Sequence, residues 1–259
     1  MPRSARIDLP GLLQHVIVRG GVAREVIFRD EEDRERFCAR LSSLLVDTGT
    51  ECLAWGLLSN HVHLLLRRWD VPLSTFMRRL LTGYAVTFNK RHGRSGHLFQ
   101  NRYKSIVCEE EPYLLELVRY IHLNPVRAGV VPGVEGLRRY RWSGHAVLMG
   151  ARELPGQAEE EVLRRFGRTV REARQEYERF VAAGVKQGRR STDSRVSGAR
   201  GLVCHVGMDV LGLKATEVGR ILGLGRSDAS RCLARGRKVA QEEPEVLRDV
   251  LGGDTVEGA

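Results

Sequence analysis

The chain has 259 residues, 42% of them hydrophobic and 29% charged, which supports a buried core in one or two domains and excludes wholesale disorder. No run of about 18 apolar residues occurs, so no membrane span is expected. The opening MPRSARIDLPGLLQ lacks the apolar centre of a secretion signal. Five scattered cysteines, none in a C-x-x-C pair, argue against a disulfide framework and a thiolate zinc site, and a reducing cytoplasm is the expected compartment. Lysine and arginine number 42 against 32 acids, a net charge of +10 that attracts polyanions. Most of that excess lies between Arg67 and Lys104. There Arg67, Arg68, Arg78, Arg79, Lys90, Arg91, Arg94, Arg102 and Lys104 face a single acid, Asp70. Aromatics and amides interleave with them (Tyr84, Phe88, Asn89, Phe99, Gln100, Asn101, Tyr103), a pattern suited to nucleic acid as well as to a solvated basic face.

The elements follow in chain order. Gln14 to Arg19 alternates polar and apolar residues and predicts a strand. Asp30 to Val46 spaces Phe37, Leu41, Leu44 and Leu45 as an amphipathic helix. Glu51 to Leu58 and His61 to Arg67 are two apolar runs separated by Ser59 and Asn60, so a hairpin is expected. Pro72 opens a helix through about Lys90. A loop over 92–101 leads to a short strand at Lys104 to Cys108. Glu111-Pro112 then starts a helix that Pro125 stops near Leu123. The order strand–helix–strand–strand–helix–strand–helix predicts an α+β class, a ferredoxin-like antiparallel sheet with helices on one face.

This domain is expected over residues 1–150, followed by a helical extension at 151–186 and a polar linker at 187–200. Residues 201–259 form a small helical unit. Its helices are read at Leu202 to Leu211, Ala215 to Leu222 and Arg226 to Val239. The short turn before the last helix, and the basic residues on it, fit a helix-turn-helix as well as a plain bundle. In the first case Arg226, Ser227, Ser230, Arg231 and Arg235 face a DNA groove.

Two constellations can carry chemistry. His61 and His63 are two apart on a strand and share a face, a geometry that holds a divalent metal, though H-x-H alone is a weak signal. Tyr120 and Asn124 are four apart on a helix and share a face. The asparagine amide oxygen there is a candidate third ligand. A phenol with a pKa near about 10 is a poor nucleophile unless its phosphate target is activated. Tyr84, Tyr103 and Tyr113 compete with Tyr120. Only the partner at the fourth following position favours Tyr120, because Phe88, Val107 and Leu117 follow the others. His15, His92, His97, His122, His145 and His205 have no assigned role; His97 and His122, nearest in sequence to the basic loop and the tyrosine helix, are candidates for supporting the site residues.

The strings SNHVHLLL, GHLFQNRYKS and YLLELVRYIHLNPVRAGVV, with HVIVRGGVAREVIFRDEEDRERF before them and RYRWSGHAVLMG after, resemble the insertion-sequence-200-like single-tyrosine HUH transposases. The resemblance is greatest to the REP-associated tyrosine transposases and covers about residues 8 to 185. It implies that His61 and His63 bind Mg²⁺ or Mn²⁺, that Tyr120 is the nucleophile, and that Asn124 stands where many relatives place a glutamine ligand. It also implies a single-stranded hairpin DNA substrate, a 5′-phosphotyrosine intermediate and strand transfer without ATP. Arg67, Arg78, Arg79, Lys90, Arg91, Arg94, Arg102 and Lys104 are then the expected DNA contacts. KATEVGRILG and RSDASRCLARGRKV resemble the helical DNA-binding domain of the bacterial replication initiator and imply a duplex contact through Arg226, Ser227 and Arg231. The expected protein is a cytoplasmic, nucleoid-associated endonuclease, monomer or homodimer, with no membrane partner. The competing readings are a domesticated hairpin-binding regulator without turnover and an RNA-acting protein, since basic surface does not tell RNA from DNA.

Overall fold

A computed structural model describes residues 8–21, 25–100, 102–108, 114–186, 204–205, 208–209, 212, 214–222 and 226–242. At 219–222, 226–229, 235, 239 and 242 only the backbone is described. The linker expected at 187–200, most of the helix expected at 202–211, and the start of the helix expected at Glu111 lie outside these residues, as do Asn101 and Tyr113. The chain forms two compact units, one of which is Asp8–Gly188, so the extension at 151–186 belongs with the sheet.

That unit is built on β1 (Leu13–Arg19), α1 (Glu31–Thr48), β2 (Glu51–Leu58), β3 (His61–Arg67), α2 (Leu73–Arg91) and β4 (Lys104–Cys108). The sheet order is β2-β3-β1-β4, antiparallel throughout. This is the ferredoxin-like arrangement, with Ser59 and Asn60 closing the β2–β3 hairpin. Asp30 caps α1 by accepting a 2.9 Å bond from the Asp33 amide, and Gly49 ends it in the left-handed region at φ 61. Glu31, Glu32 and Asp33 place negative charge on the first turn, where the helix dipole favours it.

Period-two alternation sorts the strand residues between two cores. Val16, Val18, Leu57, Val62 and Leu64 pack on Phe37, Leu41, Leu45, Phe76, Leu80 and Tyr84 of α1 and α2. Leu13, Leu53, Ala54 and Leu65 pack on the opposite side with Leu117, Val118 and Ile121 of α3 (Leu114–His122). The expectation of helices on one face holds for α1 and α2 alone. The second face is apolar as well, and α3 and later helices cover it. A Cβ on Gly56 would stand 3.3 Å from the Ile121 carbonyl oxygen, so glycine lets α3 lie close on β2.

α3 ends at His122, close to the expected Leu123; Pro125 does not end helical structure altogether. It occupies the first turn of α4 (Asn124–Arg127), where its missing N–H costs no bond. Then come α5 (Val134–Arg139), α6 (Gly144–Leu148), α7 (Glu159–Leu163) and α8 (Val170–Lys186). In α8, Ala173, Tyr177 and Val181 recur every fourth residue and are buried in the second core. The other unit contains α9 (Ala215–Leu222) and α10 (Arg226–Glu242), with Val218, Cys204 and Cys232 in a small core. Among the described residues, no helix is long and apolar enough to cross a membrane.

Asp30→Ala removes the cap of α1. It is expected to lower unfolding stability by about 1 kcal/mol, read as a shift of the urea midpoint at unchanged slope.

Candidate active site

The pairing of β1 with β3 brings three imidazoles to the sheet face under α3. His63 lies opposite Ile17 and His61 opposite Arg19, so both share the odd-numbered face of β1 with His15. Nε2 of His15 and Nδ1 of His63 share a hydrogen bond of 2.9 Å, with the rings stacked at 5.1 Å. Nδ1 of His61 bonds Oδ1 of Asn60 at 2.7 Å, and the His61 and His63 rings are 5.1 Å apart. Each of the paired histidines is therefore held through Nδ1 by a neighbour. This is how ligating imidazoles are oriented for coordination through Nε2. His63 is buried, and burial, then His15, His61 and Arg19, holds its pKa well below the usual histidine value. It is neutral at pH 7, the form that ligates metal.

Tyr120 stands against this cluster from α3. Its ring meets those of His15 and His63 edge-on, each at 6.0 Å between centroids. The Arg127 guanidinium, one helix segment later, lies 5.2 Å from the centre of the Tyr120 ring. A tyrosine, two imidazoles and a cation thus converge on one patch of a single chain. Asn124 is buried at the start of α4, and its Nδ2 has no hydrogen-bond partner among the described residues. No hydrogen bond joins Asn124 to His61 or His63 among those residues. The structure brings His61, His63 and Tyr120 together, with Asn124 placed by its helix only. Two imidazoles and an amide oxygen form a mixed donor set compatible with a divalent ion such as Mn²⁺ or Mg²⁺.

The competing tyrosines are placed elsewhere. Tyr84 is buried in the α1–α2 core and donates to the Ile27 carbonyl at 2.6 Å, and burial raises its pKa far above the ordinary tyrosine value. Tyr103 is buried in the same core.

The basic residues divide. Arg67 is buried and paired with Glu51 at 2.7 Å and Glu161 at 3.7 Å, so it serves the interior of the unit. Arg91 is engaged by Asp30, Glu32 and Asp33, Arg79 by Asp47 and Arg94 by Glu25. Arg78, Lys90, Arg102 and Lys104 are exposed and carry no ion pair among the described residues. Lys104 pairs with Ile17 and so shares the sheet face of His15. Asp30, Asp33 and His92 also bring ligand atoms within 4.8 Å of one another. Arg91 Nη1 lies 2.6 Å from Asp33 in that cluster, and its hydrogen bonding lowers the Asp30 carboxyl to about 2. A guanidinium already neutralises those acids. In the other unit Arg231 is exposed on α10, and the side chains of Arg226 and Ser227 lie outside the description.

The partners of two histidines, His15 and His122, escape a reading of local sequence. His15 supports His63 from the neighbouring strand; a histidine within an apolar strand is its only signal. His122 is fully buried, with Nδ1 bonded to the Tyr177 hydroxyl. Nearby Trp55 Nε1 donates to Gln157 at 2.7 Å, and Gln157 Nε2 to the Gly144 carbonyl at 3.1 Å.

Residues 11–124 match the family described as "Transposase IS200 like". The chain is similar in fold to a REP-associated tyrosine transposase whose structure was solved bound to a REP hairpin. Identity there is 20%, coverage is 60% of this chain and 88% of that one, and the TM-score is 0.47. A Deinococcus radiodurans protein described as a transposase is 20% identical over 47% of this chain and 94% of its own, at a TM-score of 0.33. The tRNA(His) guanylyltransferase of Saccharomyces cerevisiae is 11% identical over 70% and 82%, at 0.35. No curated protein matches.

Burial lowers the pKa of His122 well below the ordinary 6.5 and that of His145 to about 4. In the unfolded chain both take up protons near the ordinary value. Their neutral burial therefore stabilises the fold fully above about pH 6.5, and this stability is lost as pH falls toward about 4. Denaturant titrations from pH 7 to 4.5 should show stability falling with pH. His145→Gln should flatten that slope by up to about 1.4 kcal/mol per pH unit.

Proposed function

We propose that the chain is a metal-dependent single-strand DNA endonuclease and strand transferase acting on hairpin DNA of the REP type, with Tyr120 as its nucleophile. The observation that carries this reading is the Tyr120 ring standing 6.0 Å from His63 and from its partner His15. The phenol oxygen attacks the scissile phosphorus, and the bond to the 3′ oxygen breaks. The phenol gives up its proton and the departing 3′ oxygen takes one up. The products are a 5′-phosphotyrosine and a free 3′ hydroxyl. One phosphodiester replaces another, so the reverse attack by a 3′ hydroxyl reseals a strand without ATP.

His61 and His63 would hold Mg²⁺ or Mn²⁺, with Asn124 as the third residue of the set. When bound, the ion would supply neutralisation of charge on the scissile phosphate. His15 keeps His63 in the productive tautomer: when Nδ1–H of His63 donates to His15, Nε2 carries the lone pair. Arg127 places positive charge beside the phenol, where it favours the phenolate and the phosphate it attacks. Arg78, Lys90, Arg102 and Lys104 carry the nucleic-acid backbone and give binding its salt dependence. In the second unit, α10 adds a duplex contact through Arg226, Ser227 and Arg231, which would keep the enzyme at the nucleoid in the cytoplasm. Tyr120 meets the histidines of its own chain, so a monomer holds the complete set.

Labelled hairpin oligonucleotides with Mn²⁺ should give a covalent protein–DNA adduct on a denaturing gel. EDTA and Tyr120→Phe should abolish it. DNA binding with no adduct under any metal, across several hairpins, would instead support a binding protein without turnover. His15→Phe should raise the Mn²⁺ concentration for half-maximal adduct about 10–100-fold, as expected when a ligand loses its orienting partner.

A further inference from the structure

We propose that α8 is a clamp on the nucleophile helix and that Tyr177 is a positioning residue for the transesterification. The proposal rests on the assignment of Tyr120 as nucleophile. It extends the catalytic unit to a helix well outside residues 11–124.

Two residues along an α-helix are about 200° apart, so His122 leaves α3 on the side away from Tyr120. Tyr120 faces the imidazoles of the sheet. His122 faces α8 and bonds the Tyr177 hydroxyl through Nδ1. The far side of the imidazole is closed too: a Cβ on Gly144 would stand 2.8 Å from its Nε2. One turn earlier, Arg119 points to the same helix. Its Nη1 donates to the Phe180 carbonyl at 3.2 Å, and its guanidinium lies 4.3 Å from the centre of the Phe180 ring. Glu116 pairs with the same guanidinium from α3 itself. One turn after Phe180, a Cβ on Gly184 would stand 2.7 Å from Arg119 Cδ and 2.9 Å from Leu123 Cδ1. Glycine there lets the two helices close.

These contacts are polar and directional, and they lie on both turns that flank Tyr120. An apolar face alone lets a short helix rotate or slide by small amounts, whereas a hydrogen bond and a guanidinium seat fix its azimuth. The azimuth matters because the phenol oxygen sits at the end of a long lever. A rotation of α3 by about 10° carries that oxygen by about 1 Å or more, a displacement that can cost about 100-fold in rate. The β1–β3 pair fixes the histidines, and α8 fixes the tyrosine against them.

The test is single-turnover cleavage of a hairpin oligonucleotide with Mn²⁺ by the full chain, comparing wild type, Tyr120→Phe and Tyr177→Phe. Tyr177→Phe keeps the ring and removes only the hydroxyl. The expected result is a rate constant lowered about tenfold or more, with hairpin affinity unchanged. Faster hydrogen exchange in α3 than in the sheet should accompany it. A merely structural role would lower the reaction amplitude, the folded fraction, and leave the rate constant of the folded molecules as in wild type. That outcome overturns the clamp. If Tyr177→Phe does not fold, Gly184→Ala replaces it; it keeps both bonding partners and displaces the Arg119 and Leu123 side chains from their seats on α8, and the same drop in rate constant is expected. No adduct from wild type, or an adduct that survives Tyr120→Phe, overturns the underlying nucleophile assignment. A wild-type adduct lost in Tyr120→Phe, with unchanged rates in the α8 variants, overturns the clamp alone.

Discussion

The antiparallel register of β1 on β3 is the constraint on which the site depends. It sets His63 opposite Ile17 and His61 opposite Arg19, and so places His15 within 2.9 Å of His63. A slip of β1 by one residue would turn His15 toward the α1–α2 core and leave His61 and His63 on the opposite face, so the cluster would break up. Burial on both faces makes such a shift costly, since Val16 and Val18 would leave their core at the same time. The hydrophobic pattern that folds the sheet is therefore the same pattern that aims the histidines.

Much of this was readable from the sequence because it is local. Two apolar runs flanking Ser59-Asn60 define a hairpin, and H-x-H on its second strand needs no tertiary knowledge to share a face. The order of strands and helices sufficed for the ferredoxin-like sheet. The second covered face was harder. Leu53, Ala54 and Leu65 belong to strands so apolar that alternation does not report which side is solvated, and the register shift between Cys52 and Ala54 blurs it further. The helix around Tyr120 was visible, but not that Pro125 would begin a new helical turn at Asn124 rather than end the old one.

Charge was the least readable property. Nine basic residues between Arg67 and Lys104 look alike in one dimension. In three, Arg67 reaches Glu161, Arg68 is taken by Asp8, and Arg91 closes the acidic start of α1. These partners lie tens of residues away, so no spacing rule foretells them. Arg78, Lys90, Arg102 and Lys104 are the exposed cations of this stretch that carry no ion pair among the described residues. The same holds for support of the site. His15 with His63 and His122 with Tyr177 are pairs 48 and 55 residues apart, made only when the sheet and the second layer of helices are in place.

The central claim is that the phenol beside the paired histidines attacks DNA, and mapping the covalent bond tests it most directly. The wild-type protein would be reacted with a hairpin oligonucleotide and Mn²⁺, the adduct digested with nuclease and trypsin, and the nucleotide-bearing peptide sequenced by mass spectrometry. Tyr103, Tyr113 and Tyr120 fall in different tryptic peptides, because Lys104 and Arg119 separate them. The account predicts the modification on Tyr120. A modification on Tyr103 or Tyr113 would contradict it, since the cluster of His15, His61 and His63 would then face a tyrosine that takes no part in the chemistry.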